Sequence, residues 1–176
     1  MAVTLPGPGF TLRRLPGDTL PRSDPLMPDV GDMAPDFTAT TDSGDEVTLS
    51  SLQGKKVVLY FYPKDNTTGC TREACDFRGN LEAFTAKDAV ILGVSTDSVK
   101  SHQGFKAKHE LPFTLVADPD KEIVQKYGVF VEKKNYGRSY MGVVRTTFLI
   151  DEAGMIEKVY NKVKVAGHVD AVLADA

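Results

Sequence analysis

The sequence holds two cysteines, Cys70 and Cys75, and the surroundings of the first could turn an ordinary thiol into a nucleophile. A thiol reacts as its thiolate, and its pKa falls when the sulfur lies at a helix N-terminus or beside a cation. An apolar run ends at Tyr62 and a helix-like segment follows from Thr71, so Cys70 falls in a first turn whose free N–H groups favour a negative sulfur. The alternative is a small apolar residue that begins a helix.

Three residues that precede Cys70 add to this environment. Gly69 lets the backbone come close to the sulfur because it has no side chain. Thr67 offers a hydroxyl that can both donate and accept hydrogen bonds, and Pro63 closes the strand and can shield one side of the sulfur from water. These neighbours favour a reactive thiol over a structural one.

The second cysteine, Cys75, is constrained by helix geometry. Five residues on an ideal α-helix rotate by about 500° and rise by about 7.5 Å, which takes the Cα atoms beyond the limit of about 7 Å for a disulfide. Cys70 and Cys75 therefore cannot bond while the predicted helix is intact, and a bond between them requires local unwinding. The alternative is that Cys75 is a buried neighbour of Ala74 and Phe77.

Other cysteine-based sites fit the spacing poorly. A zinc site is not credible because the three histidines, His102, His109 and His168, are scattered. A thioredoxin-type dithiol needs C-x-x-C, which is absent. A phosphatase-like loop needs an arginine shortly after the cysteine, but Asp76 and Leu81 stand six residues after the two cysteines. We therefore expect no metal and no phosphate cradle.

Alternating strand and helix signals must position these residues. Four apolar runs predict strands at residues 57–62, 89–94, 146–150 and 155–160. Helix-like segments lie at about residues 71–87, 98–109, 120–127 and 168–174. Strand and helix alternate and a hairpin then closes the chain, which predicts a three-layer α/β sandwich with a mixed central sheet flanked by helices.

Composition limits the class of protein. The 176 residues are 41% hydrophobic and 26% charged, as in one soluble globular domain. A net charge of -3 gives no electrostatic case for binding nucleic acid or a membrane surface. No apolar run approaches the length of about 18 residues that a transmembrane helix needs. Two cysteines are too few for a secreted disulfide framework, so we expect a cytoplasmic protein.

The N-terminal segment differs from the rest of the chain. Residues 1–30 hold six of the ten prolines and show no sustained period, and proline at that density blocks regular structure. We predict a Pro-rich arm over residues 1–30 and one domain over residues 31–176. The alternative is that Met27 or Met33 is the biological start.

The motif Pro63-x-x-x-Thr67-x-x-Cys70 resembles the active-site signature of peroxiredoxins, the thiol peroxidases on a thioredoxin-like fold. The longer string from Phe61 to Arg78 resembles the bacterioferritin-comigratory protein branch, also called peroxiredoxin Q. The similarity runs from about residue 31 to the C-terminus. It implies a thioredoxin-like fold for the predicted sandwich.

The resemblance implies a role for each residue of the site. Cys70 would be the peroxidatic nucleophile and would become a sulfenic acid. Thr67 would hydrogen-bond the sulfur and the peroxide, and Pro63 would screen the pocket. Arg145, remote in sequence, would lie beside Cys70 and stabilise its thiolate. Glu73 would pair with Arg145 and fix its guanidinium, the alternative being an ordinary exposed carboxylate.

The resemblance also implies how the oxidised Cys70 is returned to a thiol. Cys75 would be the resolving cysteine, forming an intramolecular disulfide that a thioredoxin-like partner reduces. The substrates would be hydrogen peroxide and organic hydroperoxides, with no metal or organic cofactor. A monomer is the expected state.

The chain departs from the branch at two positions. Thr68 stands where many relatives carry proline, and Phe130 replaces a common tryptophan; the chain has no tryptophan. Two other functions stay open at this stage. One is a non-enzymatic redox sensor that undergoes a single stoichiometric oxidation. The other is a metallochaperone on the same fold, which the lack of a cysteine–histidine ligand set argues against.

Overall fold

The computed structural model describes residues 27–176. The predicted arm over residues 1–30 lies almost entirely outside the described residues, so the division into arm and domain stays a prediction. No helix among residues 27–176 has both the length and the apolar character needed to cross a bilayer.

The described part of the chain forms short helices around strands. The strands are β1 Thr38–Thr40, β2 Glu46–Thr48, β3 Lys56–Phe61, β4 Ala89–Ser95, β5 Thr114–Ala117, β6 Phe130–Asn135, β7 Arg138–Val143, β8 Thr146–Ile150 and β9 Ile156–Tyr160. The α-helices are α1 Thr68–Gly79, α2 Leu81–Ala86, α3 Val99–His109, α4 Glu122–Lys126 and α5 His168–Asp175, and a 3₁₀ turn spans Leu49–Leu52.

Five strands form the central sheet in the order β5-β4-β3-β8-β9. The strand β3 is parallel to β4, and β4 is parallel to β5. On its other side β3 is antiparallel to β8, which is antiparallel to β9. This mixed sheet with helices packed against it confirms the predicted α/β architecture.

The strand β3 shows why the sheet is covered on both faces. Its residues alternate between two apolar clusters, as the period of two requires. Val57 and Leu59 contribute to one cluster, with α4 and the segment around Phe37. Val58 and Tyr60 contribute to the other, with side chains of α1, α2, α3 and α5. Both faces of β3 are therefore buried, which explains why its residues form a continuous apolar run.

The helix predicted over residues 71–87 is wrong in its bounds. It begins three residues earlier, after the extended N-cap Thr67, and it is divided into α1 and α2 at Asn80. The Asn80 side-chain amide donates to the carbonyl of Asp76 at 2.8 Å, a local bond that competes with the helical pattern. Cys70 is consequently the third residue of α1.

Several strands were not predicted. The short antiparallel pair β1–β2 and the four-residue strand β5 carry no long apolar run. The hairpin β6–β7 is mostly exposed, with a polar stretch over residues 132–135. This hairpin leads directly into Arg145, so it belongs to the surroundings of the site.

Candidate active site

Cys70 lies in the first turn of α1 with only 1% of its surface exposed. The first N–H groups of a helix have no intrahelical acceptor and carry the positive end of its dipole. A thiolate at this position would be stabilised by these N–H groups and by a neighbouring cation. The strongest such neighbour comes from elsewhere in the chain.

Arg145 is 75 residues away in sequence, and it contacts the sulfur. Its Nη2 donates to Cys70 Sγ at 3.2 Å. The register of the sheet explains this approach, because Phe61 at the end of β3 is paired with Thr146 at the start of β8. Arg145, the residue before β8, therefore lies beside the C-terminal end of β3, from which the chain leads into α1.

Gly69 makes room for the guanidinium. A Cβ built on Gly69 would lie 3.1 Å from Arg145 Nη2 and 3.8 Å from a methyl of Val165. The first of these distances is shorter than ordinary van der Waals contact. A larger residue at position 69 would therefore displace the cation that faces Cys70.

Glu73 lies one turn after Cys70 on α1 and is fully buried. Arg145 Nη1 donates to its Oε1 at 2.9 Å. Burial raises the pKa of Glu73 to about 7, and the attraction of Arg145 opposes this rise. For Arg145, burial lowers the pKa, but Glu73 and Cys70 outweigh it and the pKa is raised. Arg145 thus bridges a buried carboxyl group and a buried sulfur as a permanent cation.

His168 lies next to Glu73. In the sequence it stands out only as one of three scattered histidines that do not form a zinc site. Its Nε2 is 2.8 Å from the hydroxyl of Thr147 and 3.9 Å from Glu73 Oε2. Burial, with a smaller effect of Arg145, lowers the pKa of His168 to about 4. A neutral imidazole therefore faces the far side of the buried carboxyl. No spacing signal links residue 168 to residue 73, so only the fold reveals this contact.

The other two residues of the signature line the approach to α1. Thr67 is exposed and is the N-cap residue of α1, and its hydroxyl donates to the carbonyl of Lys64 at 3.0 Å. Its expected hydrogen bond to the sulfur stays a prediction. Pro63 is half-buried and directly follows the core residue Tyr62.

Cys75 lies on α1 as well, partly exposed, and both thiols are free. The two cysteines are thus on one regular helix, where a separation of five residues corresponds to a rise of about 7.5 Å. A disulfide between them would require at least one turn of α1 to unwind.

A second cation, also missed in the sequence, comes from the hairpin β6–β7. Burial, with a further contribution from Arg145, lowers the pKa of Lys133, while Cys70 opposes the shift. Its ammonium donates to the carbonyl of Val143. The hairpin therefore places Lys133 against the main chain two residues before Arg145.

One cluster in the described residues has metal-ligand composition. Asp65, Asp97 and His102 each place one donor atom within 4.8 Å of the others. These atoms are already engaged, because Asp65 Oδ2 bonds His102 Nδ1 at 2.7 Å and Asp97 Oδ2 accepts from the backbone N–H of Asp65 at 2.9 Å. Hydrogen bonding accounts for the cluster.

Comparison with known proteins identifies the family of the chain. The AhpC/TSA family profile matches residues 30–159. A Bcp peroxiredoxin of Coxiella burnetii is 54% identical over 145 residues, covering 82% of this chain and 96% of that protein. Peroxiredoxin Bcp of Bacillus subtilis is 50% identical over 145 residues, and the match covers 82% of this chain and 92% of that protein.

Solved structures give the same match. Bacterioferritin comigratory protein of Xanthomonas campestris superposes with a TM-score of 0.76 at 45% identity, covering 78% of this chain and 88% of that one. A cysteine mutant of Xylella fastidiosa PrxQ superposes with a TM-score of 0.80 at 38% identity. The superposition covers 85% of this chain and 94% of that one.

Proposed function

This chain belongs to the AhpC/TSA family and is a peroxiredoxin, an enzyme that reduces peroxides at the expense of thiols, and on that premise we propose that Cys70 is its peroxidatic cysteine. The observation that carries this proposal is the 3.2 Å contact between Arg145 Nη2 and Cys70 Sγ. It places a permanent positive charge within hydrogen-bond distance of the buried sulfur, and a nearby cation favours the reactive thiolate form of a cysteine.

In the first step the Cys70 thiolate attacks one oxygen of the peroxide O–O bond. An S–O bond forms and the O–O bond breaks. The sulfur is oxidised to a sulfenic acid, and the other oxygen leaves as an alcohol or water after taking up a proton. Arg145 is already aimed at the sulfur, so its donors can also face the oxygen on which negative charge develops.

Thr67 and Pro63 are proposed to shape the peroxide pocket. Thr67 would turn its hydroxyl from the Lys64 carbonyl towards the peroxide, a change of rotamer at an exposed position. Pro63 would limit water near the sulfur. Glu73 would hold the guanidinium of Arg145 in plane through its 2.9 Å hydrogen bond.

We propose Cys75 as the resolving cysteine. Its sulfur would attack the sulfenic sulfur of Cys70, forming an S–S bond and releasing water. The step is supported by the presence of one further thiol in the chain, five residues away on the same helix. It requires α1 to open, and a thioredoxin-like dithiol would reduce the disulfide and let the helix reform.

The substrate range is proposed to include organic hydroperoxides besides hydrogen peroxide. The Xanthomonas campestris relative has been studied for alkyl peroxide reduction activity, and the identity of 45% makes a similar substrate class reasonable for this chain. A cytoplasmic location and a monomeric state stay predictions.

The proposal is tested by a thioredoxin-coupled peroxidase assay on the wild type, Cys70→Ser and Cys75→Ser. We expect full loss of turnover in Cys70→Ser and loss of thioredoxin-dependent recycling in Cys75→Ser. Activity that survives in Cys70→Ser would contradict the assignment. A single stoichiometric oxidation of the wild type without turnover would instead identify a redox sensor.

A further inference from the structure

A buried pair, Asp65 and His102, holds the loop between β3 and α1. The side chains are 1% and 0% exposed. His102 Nδ1 lies 2.7 Å from Asp65 Oδ2, and its Nε2 lies 3.0 Å from the carbonyl of Val116 on β5. Both ring nitrogens are therefore hydrogen-bonded to oxygen atoms, which fixes the orientation of the imidazole. The catalytic steps above make no use of it.

Asp65 is fixed by further hydrogen bonds. Its Oδ1 accepts from the hydroxyl of Tyr62 at 2.6 Å, and its Oδ2 accepts from the hydroxyl of Ser101 at 2.9 Å. Its backbone N–H donates to Asp97 Oδ2 at 2.9 Å. The loop is therefore held at residue 65 through both main chain and side chain, against α3 and the turn after β4.

The chain on the C-terminal side of this anchor is much less enclosed. Asn66, Thr67 and Thr68 are exposed, and Asn66 has a left-handed backbone with φ of 63°. The helix starts at Thr68 and reaches Cys70 two residues later. The segment that must open during disulfide formation thus begins directly after the buried anchor.

We propose that Asp65 and His102 are positioning residues that hold the peroxidatic loop closed and so set how readily α1 opens after Cys70 is oxidised. The inference rests on the proposed function, since it concerns the opening of the same helix. While the anchor holds, the loop keeps Cys70 against Arg145. Without it, the closed loop loses charge-assisted hydrogen bonds that the open loop does not need.

The matched control is a second buried aspartate, Asp42, which is hydrogen-bonded to α3 and β5 outside the loop. The Asp42 side chain is 8% exposed and accepts from Lys106 of α3 at 2.9 Å and from the backbone N–H of Leu115 on β5 at 2.9 Å. Asp42→Asn makes the same chemical change as Asp65→Asn, away from the loop. Both variants replace a buried carboxylate by an amide, and only Asp65→Asn does so in the loop that leads to α1.

The experiment compares Asp65→Asn, His102→Gln and Asp42→Asn with the wild type in two measurements. The first is amide hydrogen exchange of the reduced protein at residues 71–75 of α1, whose N–H groups follow the unbonded N–H groups of the first turn. The second is the rate of disulfide formation after one equivalent of hydrogen peroxide, followed by thiol alkylation and mass spectrometry. Hydrogen bonds to charged groups are strong enough that we expect both rates to rise about tenfold in the Asp65 and His102 variants.

Equal effects in Asp65→Asn and Asp42→Asn, or slower disulfide formation in Asp65→Asn, would overturn the inference. Should Asp65→Asn fail to fold, Tyr62→Phe removes one bond to Oδ1 and keeps the pair, and it should raise exchange about threefold. Unchanged exchange in that variant would count against the inference. The exchange measurement needs no turnover, so a wild type that lacks peroxidase activity would contradict the proposed function alone.

Discussion

At the residue scale, the distance of 3.2 Å between Cys70 Sγ and Arg145 Nη2 makes the sulfur depend on whatever positions the guanidinium. On one side Glu73 holds the other nitrogen at 2.9 Å. On the other side Gly69 provides the space. The rate at which peroxide oxidises Cys70 should therefore depend on residues that never touch the peroxide.

Gly69→Ala should separate activity from stability. Its Cβ would lie 3.1 Å from Arg145 Nη2, so the guanidinium must shift and the oxidation rate of Cys70 should fall about tenfold. Alanine is also the better helix former, by up to about 1 kcal/mol in a helix interior, which offsets part of the cost of moving Arg145, so the free energy of unfolding should fall by less than the roughly 1.4 kcal/mol that a tenfold rate change represents. The rate of Cys70 oxidation after mixing with peroxide and the thermal unfolding of the variant measure these two effects.

Gly104→Ala is the control for that comparison. It lies within α3, and a Cβ built there meets no described atom within 4 Å. It should stabilise the protein by up to about 1 kcal/mol and leave Cys70 oxidation unchanged. Equal oxidation rates in the two alanine variants would show that Gly69 does not position Arg145.

The buried pair Glu73 and His168 predicts two opposed effects of pH on stability. The pKa of Glu73 rises from 4.5 to about 7 on folding, so its contribution to stability is complete below pH 4.5 and is lost as the pH rises to 7. The pKa of His168 falls from 6.5 to about 4, so its contribution is present above pH 6.5 and is lost as the pH falls to 4.

Glu73→Gln should expose the histidine effect. In the wild type the two effects partly cancel between pH 4.5 and 6.5, whereas the variant should gain stability with pH up to 6.5, by about 3 kcal/mol at most. Chemical denaturation at a series of pH values measures this difference. Parallel curves for the wild type and Glu73→Gln would mean that Glu73 is ionised throughout.

At the element scale, α1 has to be both a rigid support and an opening segment. Oxidation to the Cys70–Cys75 disulfide should remove amide protection from residues 71–75, because the bond cannot form on an intact helix. The helix α3 should keep its protection and serves as the internal reference. A disulfide-bonded protein with α1 fully protected against hydrogen exchange would refute the opening.

The sequence predicted the strands that carry long apolar runs and missed the strands that do not. Residues 146–150 form β8 as expected, because that strand is buried along its whole length. The hairpin β6–β7 is largely polar and exposed, so no periodicity marked it. The division at Asn80 coincides with a side-chain bond from Asn80 to the carbonyl of Asp76, which spacing alone does not reveal.

At the scale of the whole molecule, the site combines residues that only the topology brings together. The motif around Cys70 could be read locally, and Arg145 was identified through the family resemblance. The partners His168, Lys133 and His102 lie on other elements, with no spacing that ties them to the cysteine. Their contacts follow from sheet order, which sequence pattern determines only coarsely.

Removal of residues 1–26 tests the predicted independence of the domain. The family profile begins at residue 30, and Met27 packs against the core cluster that includes Phe37, so the truncated chain keeps the contacts that the structure describes. We expect peroxidase rate and thermal stability close to those of the full chain. A large loss of either would assign the arm a part in the folded enzyme.

The most direct test is the oxidation of Cys70 in a Cys75→Ser background, followed by sulfenic acid trapping and peptide mass spectrometry, with and without Arg145→Ala. We predict that hydrogen peroxide oxidises Cys70 to a sulfenic acid and that Arg145→Ala slows this reaction by a factor of about 10² to 10³, as expected for loss of a preorganised donor. A Cys70 thiol that stays unoxidised, or one that reacts equally fast without Arg145, would contradict the account.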